Sequence, residues 1–131
     1  MITWEPKYST GIAELDKQHK NLFQYSNDLE ECVKNNSFSK VTTDKMLRFL
    51  DQYIKVHFSH EESCMFKYHC PVATKNQDAH RKFIEQFKVT QAKIKDEDSY
   101  ESALKELHHF LETWLADHIC KIDTQLKPCV H

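Results

Sequence analysis

The 131-residue sequence holds one glycine, Gly11, and only three prolines, Pro6, Pro71 and Pro128. So few backbone breakers argue against the dense turns of a sheet protein and for long helices. No apolar run approaches the ~20 residues of a membrane span, so a membrane partner is not expected. Charge of one sign is also missing. The net charge is -2 with histidine neutral, which gives no basis for binding a nucleic-acid backbone or an anionic membrane. Residues 1–9 lack the charged and apolar regions of a signal peptide, so the expected location is cytoplasmic. There is no C-x-x-C, and the five cysteines, Cys32, Cys64, Cys70, Cys120 and Cys129, are odd in number and widely spaced. That excludes a zinc ribbon or a disulfide framework and leaves free thiols in a reducing compartment. Internal repeats, low-complexity runs and linkers are absent as well.

What is present is a soluble globular balance of 40% hydrophobic and 29% charged residues, with nine histidines. The length suits one domain over 1–131. Four helical segments follow from apolar periodicity. The first runs from about Ile12 to Lys34, with Ile12, Leu15, His19, Leu22, Ser26, Leu29 and Val33 on one seam, and breaks at Asn35-Asn36-Ser37. The second runs from about Ser39 to Lys67, with Met46, Leu47, Leu50, Ile54, His57, Glu61 and Met65 inward, and stops before Cys70-Pro71. The third spans about Ala73 to Lys95, with Ala73, Asn76, His80, Phe83, Ile84, Phe87 and Ile94 inward. Asp96, Glu97, Asp98 and Ser99 form a polar turn able to cap the fourth helix. That helix turns Leu104, Leu107, Leu111, Trp114, Leu115 and His118 to one side, and Pro128 is expected to end any helix in the tail. Short connections force antiparallel neighbours, giving an all-α, antiparallel up-down-up-down four-helix bundle.

Each of these apolar stripes carries at least one polar side chain, and burying an unpaired imidazole or carboxylate is costly. His57 and Glu61 are four apart and share a helix face, while His19, His80 and His118 continue the other three seams. A lone inward histidine is most often a hydrogen-bonded core residue. One on each of four helices, with a carboxylate among them, points instead to a metal held in the bundle interior. Asp123 fits less well: it lies five residues after His118 and can face inward only where the last helical turn loosens. The remaining histidines, His60, His69, His108, His109 and His131, lie off the seams or in loops and are read as solvated or packing residues. Leu22, Phe58, Phe83, Trp114 and Leu115 would wall the metal pocket. Mixed imidazole and carboxylate ligands suit iron, then zinc, then manganese, and two carboxylates among several imidazoles could bridge two ions.

At this point the chain resembles the single-domain bacterial hemerythrins along nearly its whole length. The motifs that carry the resemblance are Trp4 with G-I-A-E-L-D-K-Q-H-K-N-L-F, then H-F-S-H-E-E, H-R-K-F and W-L-A-D-H-I-C-K-I-D. The resemblance implies two non-haem iron ions joined by an oxo or hydroxo bridge and by two carboxylates, Glu61 and Asp123. His19 and His57 would hold the iron with an open position for dioxygen, and His80 and His118 the other. Trp114 and Leu115 would cover the dioxygen pocket with Leu22 and Phe58. One departure stands out. The family's third motif is H-x-x-x-H, and here it reads N-Q-D-A-H, so Asn76 stands where a further imidazole is expected. Asn76 is then a weak ligand, or it leaves a vacancy for water or Gln77, and one tightly bound iron is the alternative to two.

The resemblance implies a carrier, store or delivery protein for dioxygen, expected to be non-enzymatic and monomeric. A diiron oxidase, a site consuming peroxide or nitric oxide, and a sensor working through a separate output partner are the alternatives, favoured by an incomplete ligand set. A ferritin-like oxidase is disfavoured because the one E-x-x-H, Glu106 to His109, faces away from the seam. A zinc hydrolase would need an open zinc-water and a general base, and no spare carboxylate is evident.

Overall fold

Sequence periodicity is realised as four α-helices: α1 (Ala13–Asn35), α2 (Lys40–Lys67), α3 (Ala73–Ile94) and α4 (Tyr100–Lys121). A computed structural model of the chain describes residues 2–35, 40–94 and 100–129, with side chains described for 2–34, 44–93 and 101–129. Among these residues there is no strand, and no helix is long and apolar enough to cross a membrane. The helices form a ring in which α1 packs on α4 and α2, and α3 packs on α4 and α2. α1 includes Asn35, where the break was expected to begin; the rest of that break, Asn36 and Ser37, with the Asp96–Ser99 turn, the Ile94 side chain and His131, lies outside the described residues.

The seams read from the sequence form the core. Leu22, Leu29, Leu47, Leu50, Ile54, Phe58, Phe83, Phe87, Leu104, Leu107, Leu111 and Leu115 join one buried cluster. Each such side chain contributes ~1.5–3 kcal/mol on leaving water. A second, smaller cluster of Leu15, Met65, Cys70, Ala73 and Leu126 closes one end of the bundle. Phe23 and Thr90 are buried off the expected seams.

Local chemistry fixes the helix ends. Asp16 accepts hydrogen bonds from the Thr10 amide (2.8 Å), the Thr10 hydroxyl (2.9 Å) and the Ser9 hydroxyl (3.1 Å), while the Thr10 hydroxyl accepts from the Ile12 amide (3.2 Å). Between them Gly11 takes φ 81, a conformation that costs glycine little. At the other end of the chain's first hairpin of helices, the Cys70 amide donates to the Met65 carbonyl (2.9 Å) and the His69 amide to the Phe66 carbonyl (3.1 Å). This is the Schellman pattern, and it places His69 at the left-handed position, φ 51, where glycine is usual.

The tail departs from expectation. Pro128 does not end the structure before it; a 3-10 segment, Asp123–Cys129, runs through it. A 3-10 segment needs φ of about -50° to -70°, which a proline ring already supplies, so the residue fits the shorter helix. A second 3-10 turn, Pro6–Tyr8, packs near it against α4. The N-terminal stretch is held by a two-way clamp: the Ile2 amide donates to Asn27 Oδ1 (2.9 Å), and Asn27 Nδ2 donates to the Ile2 carbonyl (2.7 Å).

Candidate metal centre

The two hydrophobic clusters leave a polar layer between them. On each helix a ligand-type residue sits one turn from the large cluster. His19 lies between Leu15 and Leu22, and Glu61 between His57 and Met65; His80 precedes Phe83, and His118 follows Leu115 by three residues. His19, His57, Glu61, Asn76, His80, His118 and Asp123 are all buried. The six residues expected to bind metal therefore converge. One set of ligand atoms comes from His19, His57, Glu61 and Asp123, and another from Glu61, His80, His118 and Asp123, each within 4.8 Å of one another.

The two carboxylates divide their oxygens between these sets. Glu61 Oε2 lies 2.9 Å from His19 Nε2 and 3.5 Å from His57 Nε2, whereas Glu61 Oε1 lies 3.2 Å from His80 Nε2. Asp123 Oδ2 lies 3.2 Å from His19 Nε2, and its Oδ1 lies 3.0 Å from His118 Nε2. All four imidazoles thus present Nε2 to the same small volume. His80 Nε2 and His118 Nε2 are only 3.1 Å apart.

Asp123 reaches the site because α4 ends at Lys121 and Ile122 forms the turn before the 3-10 segment. That loosened turn resolves the five-residue spacing from His118. Asn76 is one helical turn before His80 and points the same way. Its Oδ1 is 2.7 Å from His118 Nε2, and its Nδ2 donates to Glu61 Oε1 at 3.0 Å. Gln77 does not turn inward; it is exposed, since consecutive helical residues point roughly 100° apart.

Two supporting residues were missed in the sequence. Gln18 Oε1 lies 2.6 Å from His57 Nδ1, and Gln18 Nε2 lies 3.3 Å from His60 Nδ1. Glu62 Oε2 lies 3.4 Å from His80 Nδ1. Acceptors at Nδ1 fix the proton there and leave Nε2 as the lone-pair nitrogen. Neither residue lies on an apolar seam, so periodicity carries no signal for them. His60 is half-buried beside Gln18, and His109 is exposed on α4. His108 contacts Glu112 at 2.9 Å, away from the cluster.

Aromatic rings line the His80 and His118 side. Phe58 stacks on His80 with centroids 3.7 Å apart, and Trp114 stacks on His118 at 4.2 Å. Leu22, Phe58 and Leu115 belong to the large core cluster, and half-buried Trp114 packs against it.

As a protein without cations, this arrangement is electrostatically awkward, which is the best test of whether a metal suits it. Burial pulls the His57 imidazole down to about 3 despite Glu61 beside it. Burial would also depress His19, but hydrogen bonds to Asp123 and Glu61 outweigh it and push that imidazole up to about 10. Burial and the neighbouring Asp123 charge would raise Glu61, yet the imidazoles around it hold it below the usual carboxylate range. Asp123 is likewise held low, against its burial, by His118 and His19. Among the described residues, the buried His19 Nδ1 and Asp123 Oδ1 have no hydrogen-bond partner in good geometry. Two buried carboxylates facing four imidazole nitrogens, with an acceptor left over, suit borderline cations such as iron or zinc.

Known proteins resemble this chain along most of its length. The family profile described as "Hemerythrin HHE cation binding domain" matches residues 10–130. A bacteriohemerythrin of Clostridium acetobutylicum is 30% identical over 132 residues, covering 95% of this chain and 98% of that protein. One from Methylococcus capsulatus is 26% identical, over 99% of this chain and 97% of that protein. A solved structure of wild-type hemerythrin superposes with a TM-score of 0.81 at 24% identity, over 98% of this chain and 97% of that one, and so shares the fold. Similarity of that extent makes this chain a member of the hemerythrin family.

Proposed function

We propose that the buried cluster holds two iron ions and that the protein binds dioxygen beside His19 and His57, as a carrier or store. One observation carries this reading: Glu61 and Asp123 each give one oxygen to the His19 side and the other to the His80/His118 side. Carboxylates that split in this way suit two cations ~3.5–4 Å apart better than one. Glu61 and Asp123 would then hold both ions, His19 and His57 would hold one of them, and His80 and His118 the other.

When bound, the two irons supply the electrons and the coordination position that dioxygen requires. The chain's own residues set the conditions. Gln18 and Glu62 hold protons at the outer nitrogens of His57 and His80, keeping the inner nitrogens basic. Buried Leu22, Phe58 and Leu115, with half-buried Trp114, would keep water from the bound ions and so slow their irreversible oxidation. Asn76 takes the position of a third imidazole in the His80/His118 half. Its amide oxygen is a neutral and weaker donor, so that half retains its cation less firmly.

The test is iron quantification on the purified protein, with optical spectra of the reduced form before air, after air and after removal of oxygen. The expected result is iron at up to about two per chain and a visible band that appears with air and disappears on deoxygenation. Protein that carries iron but shows no reversible band would overturn the dioxygen reading.

A further inference from the structure

The smaller core cluster contains chemistry that the metal centre does not use. Cys70 and Cys129 both point their sulfurs at one acceptor, the Gln125 carbonyl, each at 3.5 Å. Cys70 beside it, with partial burial, raises the pKa of the Cys129 thiol. Both cysteines are free in the structure; Cys70 is buried and Cys129 half-buried.

Their backbones are held independently. Cys70 follows the left-handed His69 in the Schellman turn, where its amide bonds to Met65 and its side chain packs on Met65 and Ala73. Cys129 ends the 3-10 segment that begins at Asp123. Two sulfurs within 3.5 Å of one carbonyl oxygen are neighbours that a modest side-chain adjustment can bring together. Leu126, between Asp123 and Cys129, is fully buried in the same cluster. The segment is therefore a short lever: one end is a carboxylate of the metal centre, and the other is a thiol beside the α2–α3 turn.

We infer that Cys70 and Cys129 are a redox-active dithiol whose oxidation to a disulfide ties the Asp123 segment to the α2–α3 turn and slows cation release. The oxidant is a peroxide. The accessible Cys129 sulfur, as thiolate, attacks one peroxide oxygen; the O–O bond breaks, and the departing oxygen leaves as water after taking a proton. Cys129 is now a sulfenic acid. The Cys70 sulfur attacks the Cys129 sulfur, the S–S bond forms, and the hydroxyl leaves as a second water. In total two thiols give up two electrons and two protons, and one peroxide becomes two waters. The raised Cys129 thiol makes the first step faster as pH rises, because the thiolate is the nucleophile. Cation retention in this proposal rests on Asp123 being a ligand, whatever the cation; the disulfide does not depend on the dioxygen reading.

The experiment treats the full-length, freshly reduced protein, with its metal as purified, with hydrogen peroxide. Non-reducing peptide mapping follows, then thiol titration and metal release to a chelator. Two of the five thiols should be lost, a Cys70–Cys129 linked peptide should appear, and a dithiol reductant should reverse both. Metal release should be slower in the oxidised protein than in the reduced one. Cys129→Ser should form no such linked peptide and should show the same release rate with and without peroxide. Linkage of any other pair, or over-oxidation of Cys129 with Cys70 still a thiol, would overturn the dithiol assignment. A Cys70–Cys129 disulfide that leaves the release rate unchanged would overturn the lever. The dioxygen proposal stands or falls separately, on the reversible visible band.

Discussion

The amide oxygen of Asn76 lies 2.7 Å from Nε2 of His118, inside the polar layer and one turn before His80. Its amide nitrogen donates to Glu61 Oε1. Asn76 therefore presents an oxygen to His118 while its amide nitrogen supports the Glu61 carboxylate. An amide oxygen is a neutral donor with less affinity for borderline cations than an imidazole.

Asn76→His should add an imidazole beside His80 and His118 and raise metal retention. Loss of supporting groups around metal ligands costs ~10–100-fold in affinity, and a direct ligand should matter at least as much. The measurement is metal per chain after a fixed chelator challenge, with the two proteins side by side. If the parent keeps its metal as firmly as the histidine variant, Asn76 is an adequate ligand and the weakened half does not exist.

Gln18 provides a test that touches no ligand. Its carbonyl oxygen is 2.6 Å from His57 Nδ1. Gln18→Leu removes that acceptor, so the His57 proton is no longer held on the outer nitrogen. Metal affinity should fall ~10–100-fold, with the helical content intact. Gln18→Glu keeps an acceptor and should retain most of the affinity. Equal affinities in the parent and Gln18→Leu would remove Gln18 from this role.

Leu115 is 1% exposed and sits one turn before His118. Leu115→Ala leaves a cavity in the pocket wall and should cost ~2–5 kcal/mol in stability. It should also let water approach and speed irreversible oxidation of the reduced protein. Urea midpoints and the rate of bleaching in air check the two effects. Lower stability with an unchanged bleaching rate would make Leu115 a packing residue only.

Much of this centre is legible in the sequence because a bundle places chemistry and core on the same 3.6-residue period. A histidine on an apolar seam at 19, 57, 80 or 118 is conspicuous because apolar side chains lie one turn away, at Leu15 and Leu22, Ile54, Phe83, and Leu115 respectively. Asp123 was not derivable from helical geometry; the family spacing supplied it, and the turn at Ile122 explains it. Gln18 and Glu62 were invisible because their role depends on how α1 and α3 rotate against α2. Periodicity along one helix does not contain that information. Pro128 was misread for a related reason: proline opposes the α-helix interior, whereas the tail adopts a 3-10 segment that accommodates it.

The metal-free protein should show a stability optimum set by two histidines shifted in opposite directions. His57 has an ordinary value of 6.5 and is held at about 3 in the fold. Below pH 6.5 the unfolded chain takes up a proton that folded His57 refuses, so stability falls as pH drops from 6.5 towards 3. Glu61 and Asp123, both held low, add to this acid loss. His19 is pushed up to about 10. Its contribution is complete below pH 6.5 and declines as pH rises towards 10, with a slope no steeper than ~1.4 kcal/mol per pH unit for one proton. Together these groups place the optimum near 6.5. Metal binding needs the lone pair on His19 Nε2, so loading should release a proton across the alkaline window and remove the alkaline decline. Urea midpoints measured from pH 6 to about 10 in metal-free and metal-loaded protein test this linkage. A metal-free midpoint that stays flat above pH 6.5 would show that His19 carries no proton between Glu61 and Asp123.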